Sequence, residues 1–114
     1  MASLGEIWTA DFPYEDNPSQ SDERPVVIVG VDGDLYLCTT LMITSKASAK
    51  DRYRYEIRHW QHAGLIKQSY IRLSRKHTFR TSQLRRFIGC LHQEDQINLW
   101  FKIDECYGHE IGLF

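Results

Sequence analysis

The chain has 114 residues, of which 42% are hydrophobic and 25% are charged, with a formal net charge of −1 at pH 7. This length and composition are ordinary for a soluble globular protein and predict a single domain over residues 1–114. No apolar run approaches the ~18 residues of a membrane-spanning helix, and the first residues lack the basic and apolar regions of a signal peptide, so we expect a cytoplasmic protein without a membrane partner.

The small net charge conceals a strongly basic middle segment. Residues 46–86 contain twelve Lys and Arg against two acids, whereas residues 1–45 contain eight acids and a single cation, Arg24. Aromatic side chains such as Tyr55 and Trp60 are interleaved with the cations of the middle segment. Because cations neutralise phosphates and aromatic faces stack on bases, this segment predicts contact with a nucleic acid.

Short strand-like segments separated by turn signals dominate the first 90 residues. In chain order they are 6–12, 25–30, 34–43, 53–58, 69–73, 77–79 and one more around Ile88. The run PVVIVG at 25–30 is continuous and β-branched, which is typical of a buried strand. In the segment that starts at residue 69, strand alternation directs Ile71 and Leu73 inward and leaves Arg72 and Ser74 on the opposite face.

From about Gln93 the apolar period becomes that of a helix, which we predict over residues 93–106, closed by Gly108. Ile97, Trp100 and Phe101 share one face of this helix and are expected to lie in the core. Several short strands followed by one late helix predict a mainly β protein with α, built as a small, partly open antiparallel barrel.

Metal and nucleophile chemistry find little support in the sequence. His59 and His62 are three residues apart, but no HxxxH, CxxC or carboxylate cluster accompanies them, so we expect no metal and no cofactor. The three cysteines, Cys38, Cys90 and Cys106, are odd in number and widely spaced, which favours reduced structural thiols. Nucleophile motifs such as GxSxG are absent.

Arg24 and the strand end at Thr44 and Ser45 remain as candidates for a functional site. Arg24 stands directly before Pro25 at the start of an apolar strand, after the acidic loop 13–23. Thr44 and Ser45 leave a strand where the basic segment begins. Taken alone, each is common, since proline often begins a strand and hydroxyls often serve turns at strand ends.

Together with the first strand, these residues resemble a known family. The stretch GEIWTADFPYEDNPSQSDERPVVIV resembles the opening of the PemK/MazF-like toxins of bacterial type II toxin–antitoxin systems. DGDLYLCTTLMITSK looks like the family's second block, a strand that ends in Ile-Thr-Ser, and KQSYIRLSRKHTF is similar to its third. RFIGCLHQEDQINLWFKIDE looks like the closing helix, so the resemblance covers roughly residues 5–105.

The resemblance implies an SH3-like barrel, usually a homodimer, that acts as a toxin endoribonuclease, or mRNA interferase. Such a protein cleaves single-stranded RNA without a metal, and a cognate antitoxin blocks it by laying a partly disordered tail across the RNA groove. Arg24 matches the family's catalytic arginine, and Thr44 matches the threonine of Ile-Thr-Ser. Arg72 matches the arginine of the third block, but the acidic position of that block is Ser74 here, a departure from the family. The predicted substrate-binding set is Ser45, Lys46, Arg54, Arg72 and Ser74.

The expected chemistry is attack of the RNA 2′-hydroxyl on the neighbouring phosphate. Arg24, held rigid by Pro25 and the buried strand, would stabilise the phosphorane charge, and Thr44 would orient the 2′-hydroxyl or hold a phosphate oxygen. The acidic loop 13–23 would close over the groove, where its carboxylates either pair with the cations or mask the site. Ser74 leaves open a non-catalytic SH3-like module that binds nucleic acid or protein, and an inhibitor of a DNA-acting enzyme has only fold analogy in its favour.

Overall fold

The computed structural model describes residues 2–46 and 53–107. The elements in chain order are β1 (Glu6–Pro13), β2 (Ser21–Asp32), β3 (Leu37–Thr44), β4 (Arg54–Glu56), β5 (Tyr70–Arg80), a 3-10 turn (Thr81–Gln83), β6 (Phe87–Cys90) and α1 (Gln93–Tyr107). The prediction of a mainly β architecture with one C-terminal helix is therefore confirmed. No helix in the described ranges is long and apolar enough to span a membrane.

The six strands form one antiparallel sheet in the order β4-β5-β3-β2-β1-β6. Although β1 and β5 are not neighbours in this sheet, the ring of Phe12 on β1 lies 5.6 Å from that of His77 and 6.0 Å from that of Phe79 on β5. Nη2 of Arg75 also donates a 2.7 Å hydrogen bond to the carbonyl of Pro13. The sheet thus curls until β5 approaches the end of β1, which gives the partly open barrel.

Two apolar clusters lie on opposite faces of the sheet. The larger cluster fills the space under α1, and the smaller one fills the inside of the curl. The buried members of the larger cluster are Ile7, Val27, Val29, Leu41, Ile43, Ile57, Ala63, Ile71, Leu73, Leu91, Leu99 and Ile103. Those of the smaller cluster are Ala2, Ala10, Phe12, Val26, Ile28, Cys38 and Phe79. The inward positions predicted for Ile71 and Leu73 are confirmed.

The buried face of α1 differs from the predicted one. Ile97 is 47% exposed and Phe101 is 72% exposed, so their assignment to the core was wrong, while Trp100 packs against the larger cluster. The helix instead buries Asp95, Leu99 and Ile103, which repeat every four residues. Because one member of this buried stripe is a carboxylate, the pattern of apolar residues in the sequence does not reveal the buried face. The expected end at Gly108 lies outside the described residues.

Several strand boundaries differ from the predictions, including those of β5 and β2. The segments 69–73 and 77–79 form the single strand β5, whose pairing with β3 shifts from Met42↔Arg72 to Leu41↔Lys76. Residues 73–75 therefore form a bulge, which alternation alone does not reveal. Strand β2 begins at Ser21 instead of at residue 25, because its polar residues continue to pair with β1 as far as Pro13↔Ser21. Arg24 thus lies inside a strand and not at its entrance.

Candidate active site

The pairing of β2 with β3 positions the two principal candidates. The ladder between β2 and β3 ends at Val26↔Met42, two residues from Arg24 on β2 and two residues from Thr44 on β3. Pro25 lies where the ladder to β3 has ended, so its missing N–H leaves no gap in that ladder. Both candidates line one depression of about 320 Å³, which we call the cationic pocket. Its lining residues are Tyr14, Glu15, Asp16, Arg24, Met42, Thr44, Lys46, Arg72 and Arg75.

The cationic pocket carries more positive than negative charge. Four cationic side chains line it against the two carboxylates of Glu15 and Asp16. Nη2 of Arg24 lies 3.6 Å from Oδ2 of Asp22, and the two side chains are 39% and 52% exposed. Guanidinium groups offer several N–H donors in a planar fork that matches phosphate oxygens, so the pocket is suited to a phosphodiester.

Thr44 is held by a local turn. Its Oγ1 accepts a 3.2 Å hydrogen bond from the backbone amide of Lys46. A hydroxyl that accepts in this way can still donate its own proton, because it has one donor and two acceptor sites. Thr44 can therefore donate to a phosphate oxygen or to a ribose hydroxyl next to Arg24.

A second, smaller depression of about 170 Å³ adjoins the first, and we call it the bridging pocket. It shares Arg24 and Thr44 with the cationic pocket and adds the polar side chains of Ser45 and Lys67. Its full lining is Arg24, Pro25, Ile43, Thr44, Ser45, Leu65, Ile66, Lys67 and Ser69. A chain that passes over Arg24 and Thr44 thus has a groove to follow on both sides of this pair.

The structure brings together most of the sequence-predicted site residues. Arg24, Thr44, Lys46 and Arg72 line the cationic pocket, and Ser45 lines the bridging pocket. Arg54 lines neither of the two.

Arg54 and Ser74 are the two predicted residues outside these pockets. Arg54 pairs with Arg72 between β4 and β5, and its guanidinium lies 5.1 Å from the ring centroid of Tyr70. Ser74 is in the β5 bulge and does not line either pocket. Strand alternation predicts Ser74 on the same face as Arg72, but this alternation does not continue through a bulge.

Sequence reasoning missed Arg75, which the bulge turns into the cationic pocket. Its guanidinium lies 5.2 Å from the ring centroid of Phe12 and donates to the carbonyl of Pro13. The only signal in the sequence was its place in the basic segment. The acidic loop is also shorter than predicted, since Asp22 belongs to β2 and residues 14–20 connect β1 to β2.

The groups in the cationic pocket support a defined chemistry. Its cations can stabilise a pentacoordinate phosphate, the hydroxyl of Thr44 can orient a substrate oxygen, and the carboxylates of Glu15 and Asp16 can accept a proton. In residues 2–46 and 53–107, no group of three or more His, Cys, Asp or Glu is arranged to hold a metal ion.

Comparisons with known proteins agree with this architecture. The family model described as PemK-like, MazF-like toxin of type II toxin-antitoxin system matches residues 3–105. No curated protein sequence matches the chain.

Several solved structures share the fold at low sequence identity. An endoribonuclease in complex with its cognate antitoxin from Mycobacterial species is 11% identical with a TM-score of 0.72, and the match covers 96% of this chain and 97% of that one. Mycobacterium tuberculosis toxin MazF-mt6 is 21% identical with a TM-score of 0.67, over 90% and 95% of the two chains. MazF from Deinococcus radiodurans is 14% identical with a TM-score of 0.71, over 94% and 96%.

Proposed function

Because the chain belongs to the family of PemK-like, MazF-like toxins of type II toxin–antitoxin systems, we propose that it is an endoribonuclease that cleaves single-stranded mRNA. The observation that carries this proposal is that Arg24 and Thr44 line one pocket together with three further cations. The structural neighbours named as endoribonucleases support the same reaction class.

In the proposed mechanism the RNA supplies its own nucleophile. The 2′-hydroxyl attacks the adjacent phosphorus, the bond to the 5′-oxygen breaks, and a 2′,3′-cyclic phosphate and a 5′-hydroxyl result. Arg24 stabilises the charge that develops on the phosphorane oxygens, with Arg72 and Arg75 beside it. Thr44 holds the reacting ribose or phosphate by a hydrogen bond.

Two proton transfers complete this reaction. A general base takes the proton of the 2′-hydroxyl, and Ser74 is not suited to this task. We assign this task to Glu15 and Asp16, whose carboxylates line the pocket and can act as general bases. The leaving 5′-oxygen then takes a proton from a side chain that lines the cationic pocket or from water. No step requires a metal ion, so the reaction is expected to continue in EDTA.

The partners follow from the same assignment. We propose a cytoplasmic toxin that forms a homodimer and is inhibited by a cognate antitoxin. A structural neighbour that was solved in complex with its cognate antitoxin supports the second of these partners. The cations of the pocket suit an acidic, partly disordered tail laid where RNA would bind. Expression of the protein alone should arrest growth, and co-expression of the antitoxin should restore it.

The experiment that tests the reaction is incubation of the purified protein with a long single-stranded RNA in EDTA, followed by mapping of the fragment ends. Wild type should produce 2′,3′-cyclic phosphate or 3′-phosphate ends and 5′-hydroxyl ends. Arg24→Ala should reduce the rate by about 10²–10³, as expected for the loss of one donor to the transition state. Thr44→Ala should have a smaller effect, because a hydroxyl carries no charge.

Arg58→Ala is the matched control, since it removes the same charge from an exposed residue that pairs with Glu94 and lines neither pocket. It should cleave as wild type does. Fragments with 5′-phosphate ends, or a complete dependence on magnesium, would contradict the mechanism. Intact RNA with both wild type and folded Arg24→Ala would favour the non-catalytic binding module instead.

A further inference from the structure

A third depression continues the groove beyond the bridging pocket, and we call it the side pocket. It encloses about 500 Å³ and shares Pro25, Leu65 and Ile66 with the bridging pocket. Its lining residues are Thr9, Glu23, Pro25, Gly64, Leu65, Ile66, Arg86, Phe87 and Ile88. Neighbouring strands are spaced by about 4.8 Å, so the side pocket beside β1 and β2 lies within a few strand spacings of Thr44 on β3. An RNA strand bound over Arg24 and Thr44 can therefore extend into it.

One wall of the side pocket is polar and charged. Oε2 of Glu23 lies 3.4 Å from Nε of Arg86, and Oε1 lies 3.7 Å from Nε of Arg85. A hydrogen bond from the hydroxyl of Thr9, followed by the charges of Arg85 and Arg86, lowers the pKa of Glu23 below its usual 4.5. Oγ1 of Thr9 is itself fixed, because it accepts a 3.1 Å hydrogen bond from the amide of Arg86. This wall therefore offers a carboxylate that only accepts, next to a guanidinium that only donates.

The other walls are apolar and open to solvent. Ile66 is 89% exposed and Phe87 is 55% exposed, so both side chains are accessible to a ligand. The ring of Phe87 meets that of Trp8 at 5.3 Å with an interplanar angle of 70°. In such an edge-on contact Trp8 covers at most one face of the Phe87 ring, so another face remains for a flat ligand.

We propose that the side pocket binds a nucleobase of the RNA whose scissile phosphate lies over Arg24 and Thr44, and that this base is guanine. The proposal rests on the proposed function. Ile66 and Phe87 contact the faces of the base, while its Watson–Crick edge meets the polar wall. Guanine presents two adjacent donors, N1–H and the N2 amino group, beside the O6 acceptor. Glu23 accepts from the two donors and Arg86 donates to O6, an arrangement that no other standard base matches.

The experiment compares cleavage of RNAs that differ at one position near the cut site. Wild type should prefer guanine at a fixed distance from the scissile bond. Inosine, which lacks the N2 amino group, should lower kcat/KM about tenfold at that position, as expected for a lost bidentate contact. Glu23→Gln should cleave guanine and inosine RNAs equally, and Ile66→Ser should lower kcat/KM for the guanine RNA. Ile97→Ser, which changes an exposed side chain on α1, is the control and should behave as wild type.

The possible results separate this proposal from the one on which it rests. If wild type cleaves no RNA, the proposed function fails first. If wild type cleaves RNA but Glu23→Gln keeps the preference for guanine over inosine and Ile66→Ser keeps the wild-type kcat/KM, the side pocket does not read a base and the function stands. Ile66→Ser is a surface change, so its result is decisive even if Glu23→Gln does not fold. If Ile66→Ser turns a dimer into a monomer and Glu23→Gln still prefers guanine over inosine, the pocket is a contact between two copies and the proposal is overturned.

Discussion

Arg24 and Asp22 lie two residues apart on β2, with Nη2 of the arginine 3.6 Å from Oδ2 of the aspartate. Their side chains are on the same side of the strand, because strand side chains alternate between faces. The proposed catalytic cation thus has a carboxylate partner before any substrate is bound. A phosphate group that approaches Arg24 must compete with Asp22.

The first prediction concerns this competition. Asp22→Asn removes the competing charge, so single-stranded RNA should bind about two- to fivefold more tightly at low salt, in proportion to an exposed ion pair. The difference should shrink as salt rises, since exposed charges are screened. Fluorescence anisotropy with labelled RNA measures both effects. Asp34→Asn is the control, because it removes the same charge from the turn after the far end of β2; an equal gain in that variant would show that only net charge matters.

The second prediction separates the two arginines that face each other in the β4–β5 register, Arg54 and Arg72. Only Arg72 lines the cationic pocket. Arg72→Ala should weaken RNA binding and lower the slope of log affinity against log salt by about one, which is the signature of one lost phosphate contact. Arg54→Ala should leave the slope nearly unchanged. Equal slopes for the two variants would mean that the basic segment binds RNA diffusely.

How far the sequence leads to this site depends on local regularity. Arg24, Thr44 and Lys46 lie in or next to regularly paired strands, and motif order was sufficient to select them. Arg75 was missed because a three-residue bulge in β5 changes which side chains face the pocket. Arg75 faces it where strand alternation predicts Ser74. A bulge depends on how the two strands pair, and the alternation of side chains along either strand does not predict that pairing.

The third prediction concerns the buried carboxylate of α1. Asp95 is fully buried, and its Oδ1 accepts hydrogen bonds from the hydroxyl of Tyr55 and from the amide of Arg58, while Oδ2 accepts from the amide of His59. Asp95→Ala leaves these donors without an acceptor, so the free energy of unfolding should fall by about 3–5 kcal/mol.

Urea unfolding followed by circular dichroism measures this loss. Asp104→Ala removes an exposed carboxylate from the same helix and should change the free energy of unfolding by less than about 0.5 kcal/mol. A similar small change for Asp95→Ala would show that the chain after β4 does not need this anchor. Nothing in the sequence near Asp95 marks it as a buried anchor, because its partners are more than 30 residues away.

Asp95 also explains why the start of the helix was predicted correctly but the face that it buries was not. The change of period near Gln93 reports that a helix forms, and α1 runs to Tyr107. Which face is buried depends on the sheet and on Tyr55, Arg58 and His59, which supply the donors for Asp95. Ile97 and Phe101 are apolar but lie on the exposed side, so apolar periodicity alone selected the wrong face.

The last prediction is a pH dependence of stability that originates at His77. Its ring packs against those of Phe12 and Phe79, with centroids 5.6 and 4.5 Å away. Burial, and secondarily the charge of Arg75, lowers the pKa of His77 below the usual 6.5. As the pH falls through 6.5, the unfolded chain takes up this proton before the folded protein does, so acidification favours unfolding. The contribution of His77 to stability is therefore complete above about pH 6.5 and declines as the pH falls toward the lowered pKa.

His77→Gln removes the titrating group, so the free energy of unfolding of the variant should fall less between pH 7.5 and pH 5.5 than that of wild type. Urea unfolding at a series of pH values measures the difference between the two proteins, in which the contributions of the other histidines cancel. A difference that stays constant with pH would show that the ring between Phe12 and Phe79 is as easily protonated in the folded protein as in the unfolded chain.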